Sequence, residues 1–234
     1  MSAPSASTLL ILGATGKAGG YAVRHALDAH DEVYVFVRNP DKLPADIKAR
    51  VNVIVGDLTD PAAVADAVKN VSPDAIVVCS DHPRKSRPGP LNVIVIRAIV
   101  TALTETHRLS ACFVIYLSGL FFAPASDPLP WYFRLMRAAV MPLSGYQAAF
   151  RDNQAVTEYL TTGNGRDCGL RFTLIRMGPP VDAASKGRIE PVSNLPLGEV
   201  TFDDIGLFMI NLAHGEYREN VAGKAIQAFY TRGK

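Results

Sequence analysis

A chain of 234 residues, 48% hydrophobic and 20% charged, is long enough for one large α/β domain and short for two. Its formal net charge of +2 is too small a field to hold nucleic acid or an anionic membrane. Cys79, Cys112 and Cys168 are odd in number and widely spaced, which argues against a disulfide framework or a paired zinc-ligand set and for reduced thiols.

Residues 1–7 carry no basic segment, and the apolar run behind them, Leu9–Leu12, is too short for the core of a signal peptide. No uncharged apolar run approaches the roughly 20 residues that a spanning helix needs. The best contender, Trp131–Leu143, is broken by Arg134, Arg137 and Pro142. These features predict a cytoplasmic protein.

Leu9–Leu12 reads as a buried first strand running into Gly13-Ala14-Thr15-Gly16-Lys17-Ala18-Gly19-Gly20. A helix follows from about Lys17 to His30, with Tyr21, Ala22, His25, Ala26 and Ala29 at helical spacing. Glycines at 13, 16 and 19 allow a tight turn, the approach of an anion, and close helix–strand contact. The helix N-terminus left open there offers orphan N–H groups and a positive dipole end, which suit a phosphate or pyrophosphate.

Val33–Val37 is a second strand ending at Arg38-Asn39-Pro40, and Val51–Val55 a third closed by Gly56-Asp57. Thr59 or Asp60 then caps a helix with Pro61 in its first turn. Ala75–Cys79 is the fourth strand, followed by a basic, proline-bearing loop at 81–90 and a helix over about 91–106. Cys112–Leu117 is the fifth strand and ends in Ser118-Gly119. Helical stretches at 131–140 and 146–162 lead to a sixth strand, Arg171–Arg176, closed by Gly178-Pro179-Pro180. Thr201-Phe202-Asp203-Asp204 reads as a capping box opening a helix to about Leu212, and Ala225–Tyr230 as a last short strand.

Near-continuous apolar strands alternating with helices argue for a mostly parallel sheet covered on both faces. The expected architecture is a single doubly wound α/β domain over residues 1–234. Its substrate region would be built from the loops after strands four to six, at about 80–90, 118–150 and 177–200.

The run Gly13-Ala14-Thr15-Gly16-Lys17-Ala18-Gly19 is followed in order by Val37-Arg38-Asn39-Pro40-Asp41-Lys42-Leu43 and Gly56-Asp57-Leu58. It resembles the GATGxxG opening of the atypical short-chain dehydrogenase/reductases, and is similar in particular to the NmrA-like proteins and the biliverdin/flavin reductase group. The resemblance implies a Rossmann fold that holds a nicotinamide dinucleotide, with Gly13, Thr15, Gly16, Lys17, Ala18 and Gly19 at the pyrophosphate. Arg38 stands where an NAD protein carries a ribose-binding acid, and the family's Arg there lies by the adenine and pairs with the 2′-phosphate. A guanidinium suits that place because its fork matches phosphate and its plane stacks on a ring. With Lys42 as a second positive charge, the cofactor implied is NADP(H).

By the same resemblance Asp57 accepts from the adenine amino group and Leu58 covers the ring. Cys79 and Ser80 would lie by the pyrophosphate and nicotinamide ribose, with Met177 and Pro179 beside the nicotinamide. Cys79 itself reads as a small packing residue rather than a nucleophile. Ser118 falls where the family's Ser faces the nicotinamide and hydrogen-bonds a substrate carbonyl or hydroxyl.

The chain departs from its relatives in the next helix. There Tyr-x-x-x-Lys supplies a proton donor and the cation that lowers its pKa, but the matching positions here are Phe150 and Gln154. Tyr146, one turn upstream, is the remaining tyrosine candidate for catalysis and has no Lys partner. Asn153 falls near the substrate side. His82 in the loop His82–Pro88 is a candidate substrate contact, and Phe121, Phe122, Trp131, Tyr132 and Phe133 form a candidate aromatic wall for a flat ligand.

Two function classes follow. One is an NADP-dependent reductase transferring hydride to a flat conjugated molecule such as a flavin, tetrapyrrole, quinone or enone, for which the missing pair is tolerable. The other keeps the cofactor without redox turnover, as an NmrA-like sensor or an isomerase or cyclase. In either case the partner is a small molecule, the expected assembly is a monomer or homodimer, and no metal site is expected.

Overall fold

Leu9, Leu10, Ile11 and Leu12 are all fully buried, so the strand they form must lie in the middle of a sheet covered on both faces. A computed structural model describes residues 6–80, 90–119, 135, 147–163, 167–192 and 198–230. In it β1 (Thr8–Leu12) leads through the glycine turn into α1 (Lys17–Asp28), then β2 (Glu32–Val37) and a single 3₁₀ turn at Pro40–Lys42. A short helix, α2 (Ala45–Lys48), precedes β3 (Asn52–Val55), α3 (Pro61–Val71), β4 (Ala75–Val78), α4 (Asn92–Glu105) and β5 (Phe113–Gly119). The chain continues through α5 (Gln147–Thr161), β6 (Arg171–Met177), β7 (Pro180–Val181), β8 (Ile189–Val192) and β9 (Val200–Thr201). It finishes with α6 (Phe202–Ala213), α7 (Arg218–Val221) and β10 (Lys224–Tyr230).

Eight strands form one sheet in the order β3-β2-β1-β4-β5-β6-β10-β8, every neighbouring pair parallel except β10 with β8. β7 and β9 pair separately as a small parallel ribbon. The doubly wound, mostly parallel sheet expected from the sequence is therefore the observed fold. The strands β7, β8 and β9 lie in a stretch with no strand periodicity and were not expected.

Alternation along each strand divides the core in two. Leu9, Ile11, Val35, Val77, Ile115 and Ile175 pack under α1 and α6, with Ala22 and Met209. Leu10, Leu12, Ile76, Val78, Val114 and Leu174 pack under α3, α4 and α5, with Val64, Ile96 and Val156. Helix starts follow local chemistry where the sequence supplies it. Asp60 caps α3 by accepting from the N–H groups of Ala62 and Ala63 at 3.0 and 3.2 Å, and Thr201 caps α6 by accepting from Asp204 at 3.1 Å.

Helix α4 has no cap of its own. The buried carboxylate of Asp152, on α5, accepts instead from the N–H groups of Leu91, Asn92 and Val93 at 3.1, 2.6 and 3.0 Å. A negative charge on the positive end of α4 locks α5 against it. Among the described residues no helix is long and apolar enough to cross a membrane.

Candidate active site

Parallel strands in register bring their carboxyl ends to one edge. Leu12 is level with Phe36 and Val78, Val78 with Tyr116, and Ser118 with Arg176. Gly13, Arg38, Asp57, Ser80, Ser118 and Met177 therefore stand along that edge. The strand order reverses between β1 and β4, which is where such sheets open a ligand crevice.

At the crevice Gly13 has φ +89°, and a Cβ there would lie 2.8 Å from the carbonyl of Cys79 and 2.9 Å from the nitrogen of Ser80. A Cβ on Gly19 would lie 2.3 Å from the carbonyl oxygen of Gly13. Only glycines let the turn rest on the end of β4 and α1 rest on the turn. Ala18 and Gly19 are buried, while Thr15, Gly16 and Lys17 are exposed. Helix α1 starts at Gly16 with no side-chain cap, unlike α3 and α6. Its first N–H groups and dipole end thus fit a pyrophosphate. The Lys17 ammonium sits 2.9 Å from Asp182, between β7 and β8, and lies over the ring of Phe202.

Arg38 and Asp57 close β2 and β3 and face each other, Nη1 to Oδ2 at 3.8 Å. Arg38 is largely exposed. Asp57 Oδ1 accepts from the N–H and hydroxyl of Thr59, both at 2.9 Å, and these bonds hold its carboxyl below the usual range. One oxygen shapes the turn and the other faces the guanidinium. Leu58 packs partly buried against the α3–α4 core, and Lys42 is exposed on the 3₁₀ turn four residues from Arg38.

The Cys79 thiol is turned toward Met209, 3.6 Å away, and burial pushes its pKa up to about 12. It is a neutral packing group. Ser80, on the other face, donates to the Oδ1 of Asn92 at 2.6 Å. Asn92 is fully buried, and its Nδ2 has no hydrogen-bond partner among the described residues. Met177 is buried in the core under α1 and α6, and Pro179 is exposed beyond it.

Ser118 is buried and donates to Asn153 Oδ1 at 3.0 Å. The same oxygen accepts from the Tyr116 hydroxyl at 2.6 Å, and Asn153 Nδ2 donates to the Ala149 carbonyl at 2.9 Å. Asn153, expected on the substrate side, is thus turned inward onto Ser118. Phe150 and Gln154 are half-buried on the same helix. Arg176, in register with Ser118 on the neighbouring strand, is only 5% exposed, and burial lowers its pKa to about 10. It stays protonated at neutral pH and gives this end of the sheet a buried positive charge.

Tyr146, His82, Phe121, Phe122, Trp131, Tyr132 and Phe133 lie outside the described residues. Sequence reasoning missed Asp152, Tyr116 and Arg176. A lone arginine inside Phe172-Thr173-Leu174-Ile175-Arg176-Met177 was a visible signal, whereas Asp152 caps a helix 60 residues away and left none. Among the described residues no cluster of three or more acidic, histidine or cysteine side chains could hold a metal. A cavity of about 400 Å³ lies against β3 and α3, lined by Tyr34, Phe36, Ile54, Val55 and Ala67 among others, and includes none of the candidate site residues.

A sequence profile described as NAD(P)H-binding matches residues 13–216, most of the chain. The chain belongs to the NAD(P)H-binding family. The match starts at Gly13 and contains every residue of the glycine turn, so the family read from that turn is the family found. Members of the same fold class surround it in structure. This NAD(P)H-binding protein superposes on the oxidoreductase ylbE of Lactococcus lactis with a TM-score of 0.72 at 17% identity, over 96% of this chain and 91% of that one. A short-chain dehydrogenase/reductase of Veillonella parvula, solved in complex with NADP, gives 0.69 at 19% identity over 95% and 94% of the two chains. ChuY, an anaerobillin reductase of Escherichia coli, gives 0.70 at 21% identity over 97% and 98%. In sequence, 82 residues are 35% identical to the Arabidopsis thaliana protein named "Probable pinoresinol-lariciresinol reductase 3". That match spans 34% of this chain and 26% of the plant protein's length.

Proposed function

We propose that this NAD(P)H-binding protein is an NADP(H)-dependent reductase whose acceptor is a flat conjugated small molecule. The observation that carries the reading is the shared edge: an uncapped α1 beside the glycine turn, Arg38 facing Asp57, and Ser118 beside a buried Arg176. The first two suit the pyrophosphate and a 2′-phosphate. When bound, the nicotinamide supplies hydride. This chain's own residues hold the dinucleotide, turn Ser118 toward the acceptor, and place a cation where negative charge grows on it. A planar acceptor takes its proton from solvent, so Phe150 and Gln154 do not bar the reaction. The V. parvula structure solved with NADP and the anaerobillin reductase activity in ChuY's name support the cofactor and the acceptor class. We place the protein in the cytoplasm, as a monomer or homodimer.

Phe150 and Gln154 favour a second reading, an NADP-binding sensor, isomerase or cyclase with no redox turnover. Incubation with NADPH and a panel of flavins, bilins, quinones and enones separates the two. Oxidation of NADPH by an acceptor, slowed in Ser118→Ala with NADPH affinity unchanged, supports the reductase. Tight NADPH binding with no oxidation by any acceptor supports the second reading.

A further inference from the structure

The hydrogen-bond network around Ser118 fixes which way its proton points. The Asn153 side-chain amide lies 2.9 Å from the Ala149 carbonyl oxygen, which can only accept, so the amide must present its NH₂ there. The reverse orientation would set two carbonyl oxygens against each other. Asn153 Oδ1 then faces the Tyr116 and Ser118 hydroxyls, and an amide oxygen can only accept. Both hydroxyls donate inward.

A serine has one proton, and here it is spent on Asn153. What Ser118 keeps for a ligand is its lone pairs. Asn153 is 4% exposed, and the neighbouring Asp152 clamps α5 to the N-terminus of α4, so the amide cannot swing away without cost. We infer that Asn153 is a positioning residue that makes Ser118 a hydrogen-bond acceptor, so that the site takes flat ligands presenting an N–H or O–H to Ser118 rather than a bare carbonyl. This deepens the proposed function and rests on its reading of Ser118 as the residue facing the acceptor. It divides the acceptor classes: bilins and flavins carry N–H groups, and simple quinones and enones carry none.

The test is binding rather than turnover, so it does not depend on redox activity. With NADP⁺ bound, equilibrium dialysis measures Kd for lumiflavin, for lumiflavin methylated at its imide nitrogen, and for naphthoquinone. The wild-type protein should prefer lumiflavin over the methylated form by about tenfold or more, the worth of one hydrogen bond. Asn153→Leu frees the Ser118 proton to point at the ligand, so naphthoquinone, which can only accept, should gain relative to lumiflavin. Should Asn153→Leu fail to fold, Ser118→Ala removes the acceptor and should bring the ratio of lumiflavin to its methylated form to about one. A ratio near one in the wild type overturns the inference while leaving the reductase reading in place. So does a lumiflavin preference that survives in Ser118→Ala, or a naphthoquinone affinity that is unmoved in folded Asn153→Leu. Binding of none of the three probes overturns both.

Discussion

Gly19 and Gly20 sit side by side in the first turn of α1, and the structure assigns them opposite responses to the same substitution. A Cβ on Gly19 would lie 2.3 Å from Gly13 O, 2.8 Å from Gly13 C and 3.0 Å from the Cα of Ala14. The first contact is roughly 1 Å short of ordinary van der Waals distance, and its partner is backbone that cannot rotate aside. Overpacking of this kind costs about 1–3 kcal/mol, against which alanine returns about 1 kcal/mol of helix propensity. Gly19→Ala should therefore lose up to about 2 kcal/mol net and up to about 8 °C in Tm. Relief requires α1 to lift off the turn, which misplaces its N–H groups. Losing one charge-assisted hydrogen bond at the pyrophosphate would weaken NADPH by roughly ten- to 150-fold.

A Cβ on Gly20 would meet Ala14 O at 3.6 Å, an ordinary contact. Gly20→Ala should gain about 0.5–1 kcal/mol and leave NADPH affinity unchanged. Thermal unfolding and a fluorescence titration with NADPH on the two variants measure both quantities. Equal effects of the two substitutions, or a Gly19→Ala protein that binds NADPH like the wild type, would refute the packing argument.

Further outcomes follow from single sites. Arg38→Ala should weaken NADPH by about ten- to 150-fold and leave NADH nearly unchanged. Equal weakening of both would mean that Arg38 does not read the 2′-phosphate. With its thiol pushed up to about 12, Cys79 should resist alkylation in the folded protein, its thiolate being about one part in ten thousand at pH about 8. Peptide mapping of protein alkylated before and after unfolding checks this, and fast labelling of the folded state would contradict it. Burial pushes the Asp204 carboxyl up, but hydrogen bonds from the Ser185, Thr201 and Tyr230 hydroxyls and the Lys186 N–H outweigh it and hold the pKa down. Such a group stabilises fully above the unfolded carboxyl range, about pH 4, and the contribution is lost as pH falls through the lower folded value. Asp204→Asn should cost about 3 kcal/mol at neutral pH, and the gap to wild type in urea unfolding should close below about pH 4. A gap that stays constant down to acid pH would show that Asp204 acts only through packing.

What the sequence revealed was whatever is local. β1, the glycine turn and α1 share one short stretch in which apolar run, glycine spacing and helical period agree. The N-cap at Thr201 is likewise a contact over three residues and is present, although the Thr201 N–H donates to the Tyr230 hydroxyl and not to Asp204 as a full capping box would have it. What stayed hidden depends on partners far along the chain. β8 exists because β10 pairs with it antiparallel, Gln227 against Val192 and Tyr230 against Ile189, and nothing between 180 and 200 alternates enough to announce a strand. The start of α4 rests on Asp152, and the direction of the Ser118 proton on Asn153, at separations of 60 and 35 residues. Asn153 was legible as a polar residue near the site, but a helical position cannot by itself say whether an amide faces the crevice or the strand beneath.

Hydride transfer from NADPH to a flat acceptor, without a tyrosine–lysine pair on α5, is the step on which the proposed function stands. Label transfer follows that step: NADPH deuterated at its reactive nicotinamide carbon is incubated with the protein and a bilin, and the acceptor is examined by mass spectrometry. The reduced acceptor should carry deuterium on carbon and form more slowly with Ser118→Ala. NADPH that binds tightly yet leaves the acceptor unlabelled and unreduced would contradict hydride transfer.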